Sequence, residues 1–187
     1  HEIRSSHFGI SILNGTVQYE SGNTILSKIP FTHSEEKVIL GDYQVATDLS
    51  SYQQVITHNR YIAQKVTLKN KLTIVNYHGY WQKDPLGNET SVQCMRSVAD
   101  MVRDEDLPVV VCGDLNVIAK SKAMREFDFL PDLTAIHHIP TTLRNIRFKK
   151  NVSCDHILIS NGLSYQNFEV IDAPVSDHRA LVIELNF

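Results

Sequence analysis

Residues 107–116 read LPVVVCGDLN. Val109 to Cys112 is an unbroken apolar run of strand length, and a run apolar on both alternating faces belongs in a sheet covered on both sides. Gly113 lets the backbone turn at the sheet's rim, where Asp114 and Asn116 can face a common point. One charged and one neutral oxygen donor at that spacing suit a hard Mg2+ or Mn2+ ion better than zinc.

Upstream, residues 88–103 predict the clearest helix. Val92, Met95, Val98, Ala99 and Val102 recur at three- and four-residue steps and make one apolar stripe. Pro108 closes that region. Earlier still, residues 61–68 alternate through Ile62, Gln64, Val66 and Leu68, Lys69-Asn70-Lys71 turns the chain, and residues 72–78 return. This reads as an antiparallel hairpin. A further strand is expected at 24–27, after Gly22. Downstream, Ser121 caps a short helix through Phe127, and strands follow at 156–160, 168–171 and 180–185. With no internal repeat or linker, residues 1–187 read as one domain. Hairpins with a few helices predict an α+β fold: two mainly antiparallel sheets packed face to face with helices outside, a four-layer α/β/β/α sandwich.

Composition agrees with a soluble globular domain, at 42% hydrophobic and 21% charged residues. No apolar run approaches the roughly 18–20 residues that span a bilayer. Net charge is −3 and the pI near 6.3, which argues against avid, sequence-independent DNA binding. Cys94, Cys112 and Cys154 are widely spaced and odd in number, so no disulfide framework or zinc knuckle is expected. They read as small buried side chains in a reducing, cytoplasmic setting. No signal peptide is visible, but the first residue is His1, and a targeting segment could precede it.

Three more polar clusters fall beside strands. Residues 175–181, VSDHRAL, carry Asp177 and His178 just before the last strand. Residues 153–160, SCDHILIS, open a strand on Asp155, a carboxylate placed to orient an imidazole and fix its tautomer. In residues 75–81, VNYHGYW, His78 shares a face with Leu72, Ile74 and Asn76 and emerges at the strand's end. His156 reads as structural, and the adjacent His137-His138 as loop or surface.

Taken in order, GNTILSKIP, VNYHG, VVVCGDLN, CDHILIS and VSDH resemble the motifs of the endonuclease/exonuclease/phosphatase superfamily, from about Gly22 to the end of the chain. That group includes DNase I-like nucleases, abasic-site endonucleases, neutral sphingomyelinases, inositol-polyphosphate phosphatases and deadenylases. The resemblance implies a DNase I-like fold and a Mg2+- or Mn2+-dependent phosphoester hydrolase using in-line attack of water. It implies Asp114 as the residue that orients or activates the water and Asn116 as a phosphate or metal ligand. It further implies Asp177 as a metal ligand, His178 as the phosphate contact, Asp155 as its partner, and His78 as a phosphate contact or leaving-group assistant. The metal set so implied is Asp177, Asp114 and Asn116.

Weaker candidates for substrate contact are Arg60 and Arg144, the latter in a stretch, residues 141–144, where relatives place a substrate loop. Trp81, with Tyr80, is expected to line the pocket mouth or pack under a loop. The substrate is expected to be nucleic acid or a small or lipid-borne phosphate. A phosphatase, a sphingomyelinase-like phospholipase and a non-catalytic binding module remain alternatives.

The sequence departs from the family pattern at its start. The family's opening strand with an asparagine, and a second strand ending in a metal-binding glutamate, are not visible. Glu2 is expected in a helix or loop, and Glu20 lies too near the 24–27 strand for that role. The segment is therefore expected to lack its first strands and part of its metal site, and to be poorly active alone.

Overall fold

Leu68 and Leu72 pair across a tight turn in which Lys69 and Asn70 both take φ of 51°. Lys71 N donates to Leu68 O at 2.9 Å, so the turn has the positive-φ geometry that matches strand twist. The hairpin it joins lies at the centre of a computed structural model that describes residues 1–11, 19–144 and 151–187.

In chain order the strands are β1 (Glu2–Ile10), β2 (Tyr19–Leu26), β3 (Phe31–Leu40), β4 (Gln44–Ala46), β5 (Tyr61–Leu68) and β6 (Leu72–Tyr77). Then come β7 (Val109–Asp114), β8 (Asp155–Ile159), β9 (Ser164–Ile171) and β10 (Ala180–Asn186). The helices are α1 (Leu49–Thr57), α2 (Glu89–Ala99) and α3 (Leu133–Ile136), with a 3-10 turn at Ala123–Phe127. None of the described helices is long and apolar enough to cross a membrane.

The main sheet has five strands in the order β3-β5-β6-β7-β8, and only β6 and β7 run parallel. Val109 and Val111 of β7, with Val75, Tyr77 and Ala63, face the helical layer: Met95, Val98 and Ala99 of α2 and Phe127 of the 3-10 turn. Val110 faces the other way, with Leu68, Leu72, Ile157 and Ile159, and meets Leu181, Ile183 and Leu185 of β10. The unbroken VVV run is thus explained by burial on both faces. Each such side chain contributes roughly 1.5–3 kcal/mol relative to exposure.

The fold is an α+β sandwich, with its second layer divided into a β2-β1-β4 sheet and a β9-β10 hairpin. Fully buried Gln64 crosses between the layers, donating to Ser5 Oγ at 2.8 Å and Asn23 O at 3.0 Å. On that side α1 packs against β4 and β1. Glu2, expected in a helix or loop, lies instead in β1, paired with Leu26. The strand carries no apolar alternation because its buried face is Ser5, His7 and Gly9.

Local signals hold at α2. Asn88 accepts from Ser91 N at 3.0 Å while its own N–H donates to Ser91 Oγ at 3.3 Å, a reciprocal cap worth about 1 kcal/mol. The α-helix stops at Ala99, short of 103. The chain continues in i to i+3 bonds, Met101 N to Val98 O and Val102 N to Ala99 O, which keep Val102 buried. Ser121 Oγ accepts from Met124 N at 3.2 Å, but the turn is 3-10 and its N-cap position is Lys122, without a side-chain cap, rather than Ser121.

Candidate active site

Strand pairing assembles the polar cluster. Because β6 and β7 are parallel, both end at the same sheet edge, and His78 follows β6 there while Asp114 closes β7. Because β7 and β8 are antiparallel, Asp155, the first residue of β8, lies directly opposite Asp114. His178 reaches the same edge from the segment before β10, pinned by a bridge to Leu143. Two glycines make the close approach feasible. A Cβ on Gly79 would fall 2.1 Å from Leu115 O, and one on Gly113, at φ +141°, would fall 2.1 Å from Tyr77 O.

Asp114 sits between two imidazoles: its Oδ2 is 3.7 Å from His78 Nε2 and 3.8 Å from His178 Nε2. The far nitrogen of His178, Nδ1, is 2.8 Å from Asp155 Oδ2 and donates to it, which leaves Nε2 directed at Asp114. That hydrogen bond lifts the His178 pKa to about 9, against the opposing effect of burial. Burial and the neighbouring Asp155 charge push the Asp114 carboxyl above the usual carboxylate range, with the two histidines pulling the other way. Asn116, at φ 55°, donates Nδ2 to Gly79 O at 2.9 Å, and its N–H bonds Asp114 Oδ1 at 2.9 Å. These ties join the loops after β6 and β7 into one unit.

His78, Asp114, Asn116, Asp155, Asp177 and His178 all line one cavity of about 720 Å³. The structure therefore brings together all six of the principal residues read from the sequence. Trp81, 56% exposed, lines it too, whereas Tyr80 packs on Tyr61. The two arginines do not line it. Arg60 donates to Ser6 O at 2.6 Å and lies over the Tyr43 ring, and Arg144 is paired with Asp172 and Ser176 O. Each arginine donates to a main-chain oxygen, Arg60 to Ser6 and Arg144 to Ser176.

Residues 141–144 act as a brace. Thr142 N donates to Val152 O, Arg179 N to Thr142 O and Arg144 N to Asp177 O, so this stretch ties the Asp155 segment to the His178 segment. From it, Leu143 lines the cavity. His137 stacks on Phe168 at 4.4 Å, away from the site. His156 is buried, with Nδ1 2.8 Å from Asp132 Oδ2 and Nε2 2.9 Å from Val117 O. Burial opposes charge on this ring, but Asp132 and the Val117 carbonyl outweigh it and raise the His156 pKa, so the ring is held as a structural element.

A model described as the Endonuclease/Exonuclease/phosphatase family matches residues 3–178. The chain belongs to this family. No curated protein matches it. Among solved structures it is similar to an endonuclease/exonuclease/phosphatase from Beutenbergia cavernae, with TM-score 0.69 and 16% identity over 99% of this chain and 53% of that one. It is also similar to a mannosyl-6-phosphatase of Bacteroides thetaiotaomicron, with TM-score 0.61 and 14% identity over 100% of this chain and 77% of that one. The human Nocturnin catalytic domain gives the same TM-score and identity over 100% of this chain and 72% of that one. The chain thus spans about half the length of the first and about three quarters of the others.

Within this family member, sequence reading gave no site role to His7 or Cys154 and placed Thr142 only in a substrate loop. His7 of β1 is 4% exposed, its ring centroid lies 5.9 Å from that of His78, and its buried Nε2 has no hydrogen-bond partner among the described residues. Thr142 Oγ accepts from the N–H groups of Cys154 and Asp155 and so sets the start of β8. Cys154 lines the cavity beside Asp155. No periodicity marks these residues. Only Cys154, adjacent to a motif aspartate, carried a usable signal.

Proposed function

We propose that the chain carries the catalytic core of a divalent-metal-dependent phosphoester hydrolase, phosphodiesterase-like, that directs water in line at phosphorus. The family supports phosphoester hydrolysis as the general class. The observation that carries the finer reading is the Asp114 carboxylate held between two imidazoles, one of them fixed by Asp155.

In this reading Asp114 holds the attacking water and accepts its proton at Oδ2. Burial suits it to that work, since a carboxyl with a raised pKa is the stronger base. His178, protonated at neutral pH, donates from Nε2 to a phosphate oxygen and offsets charge that builds in the transition state. His78 contacts the phosphate or delivers a proton to the leaving oxygen. Asn116 holds the loops in register and offers its amide to the phosphate.

The donor set fits a cation. Asp114 and Asp155 converge in a recessed position where, among the described residues, their ion-pair partners are imidazoles rather than lysine or arginine. Asp114, Asn116 and Asp177 would hold Mg2+ or Mn2+, which when bound supplies positive charge against the phosphate oxygens. The cavity exceeds what a phosphate alone needs, and Trp81 at its rim offers a face for the organic part of a substrate. We read residues 1–187 as one domain, and the three free cysteines fit a cytoplasmic protein.

The test is hydrolysis of a panel of phosphodiesters and phosphomonoesters with Mg2+ or Mn2+ against EDTA, by the protein and its Asp114→Ala and His178→Ala variants. Weak but metal-dependent turnover, abolished by both substitutions, is expected. No turnover of any member, or turnover indifferent to both, refutes the reading.

A further inference from the structure

Cys154 lies where the proposed mechanism has no use for it. It is 6% exposed yet lines the cavity, with Sγ 3.7 Å from Asp155 Oδ2. Asp114, Cys154, Asp155 and His178 can each present one ligand atom such that all four atoms fall within 4.8 Å of one another. Tetrahedral zinc, with bonds of about 2.0–2.3 Å, holds its ligand atoms about 3.3–3.8 Å apart. Two spacings, 3.7 Å between Cys154 Sγ and Asp155 Oδ2 and 3.8 Å between His178 Nε2 and Asp114 Oδ2, already lie in that range. Asp155, by contrast, is bonded to His178 Nδ1 at 2.8 Å and must leave that nitrogen to reach an ion held at Nε2.

The donor types matter as much as the spacing. Asp114, Asn116 and Asp177 are oxygen donors, the preference of Mg2+ or Mn2+. One thiolate and one imidazole beside two carboxylates instead favour a borderline ion such as zinc. We infer that Asp114, Cys154, Asp155 and His178 form a zinc-type site, nested against the hydrolytic site, whose occupation shuts the enzyme. Binding exchanges two protons for the ion, one from the Cys154 thiol and one from the His178 imidazolium, both released to water. It also engages Asp114 and the Asp155–His178 pair, so hydrolysis and zinc binding exclude one another. The inhibitory half of this inference rests on the hydrolase reading, and the binding half does not.

The experiment has two arms. In the first, EDTA-stripped protein is titrated with Cd2+ alone, and the ultraviolet thiolate-to-metal charge-transfer band is followed. One equivalent is expected to produce the band and Zn2+ to remove it. Cys154→Ser should lack the band and Cys112→Ser should keep it. Asp155→Asn, which leaves the thiol in place, should weaken affinity by at least the roughly 10–100-fold that even an indirect partner of a ligand can cost. In the second arm, Zn2+ is added during Mn2+-supported hydrolysis of bis(para-nitrophenyl) phosphate. The half-inhibiting Zn2+ concentration should rise at least about tenfold in Cys154→Ser, each protein being referred to its own zinc-free rate. Absence of the band, or its survival in Cys154→Ser, overturns the site. Equal zinc sensitivity of both proteins overturns the inhibition. A protein that shows the Cys154-dependent band but hydrolyses nothing sinks the hydrolase reading while upholding the metal site.

Discussion

Both oxygens of Asp155 lie close to one nitrogen of His178, Oδ2 at 2.8 Å and Oδ1 at 3.1 Å from Nδ1. A carboxylate at one end of an imidazole fixes which nitrogen faces the reaction and holds the ring charged. The same contact makes stability depend on pH.

The His178 pKa is raised from 6.5 to about 9 in the folded protein. A raised pKa means that the stabilisation is complete below the unfolded value and is lost as pH climbs from about 6.5 to about 9. Urea denaturation in EDTA should therefore show stability falling across that window. Asp155→Asn should flatten the slope; an unchanged slope would place its origin elsewhere.

Asp114 should separate activity from stability. Its carboxylate is buried beside another, so Asp114→Asn removes repulsion and should leave the melting temperature unchanged or raised. Turnover with Mg2+ should fall roughly 10²–10⁴-fold, the usual contribution of a positioned base. Parallel melting and kinetic measurements check both halves.

His7 should govern the acid side. Burial, with His78 and Arg60 nearby, lowers its pKa to about 4. A lowered histidine pKa means that stabilisation is complete above about 6.5 and is lost as pH falls towards about 4, because the unfolded chain takes up the proton first. His7→Phe should lack this component of acid destabilisation, as followed by denaturation at stepped pH.

His156 should matter for folding alone. Both its nitrogens are bonded inside the protein, to Asp132 and Val117. His156→Ala leaves the partly buried Asp132 carboxylate with Thr134 N but without its imidazole partner and should cost roughly 1–3 kcal/mol. Turnover per folded molecule should stay close to the original, which active-site titration against the folded fraction would reveal.

Gly79→Ala should damage the site through the backbone. Its Cβ would fall 2.1 Å from Leu115 O, and Gly79 also accepts from Asn116 and donates to Asp114 O. Overpacking of this kind costs about 1–3 kcal/mol. Lower melting temperature together with lower turnover is expected.

Much of the site was legible because its signals are local. Asp114, Asn116 and His78 each lie at or just past a strand end, where a run of apolar residues stops and polar ones begin, Asp155 opens the strand β8, and Asp177 and His178 lie just before the last strand. Strand β1 was not legible, since the residues it buries are Ser5, His7 and Gly9 and its periodicity carries no hydrophobic contrast. Arg60 was read as a substrate contact because a guanidinium beside a strand suggests a phosphate, and Arg144 because residues 141–144 lie where relatives place a substrate loop. Their partners, Ser6 O and Asp172, are 54 and 28 residues away in the chain, and no local pattern reports them.

By itself, then, the sequence determined which segments are strands buried on two faces and which polar groups stand at their ends, because periodicity and chain reversal act over a few residues. Tertiary structure alone decided that those ends meet. Parallel pairing of β6 with β7 brings His78 to Asp114, antiparallel pairing of β7 with β8 sets Asp155 opposite, and the Leu143 bridge draws in His178. It also decided that His7 and Cys154 border the same cluster. Register between strands is settled by hydrogen-bond ladders and core packing across the whole sheet, a property that no short stretch of the chain contains.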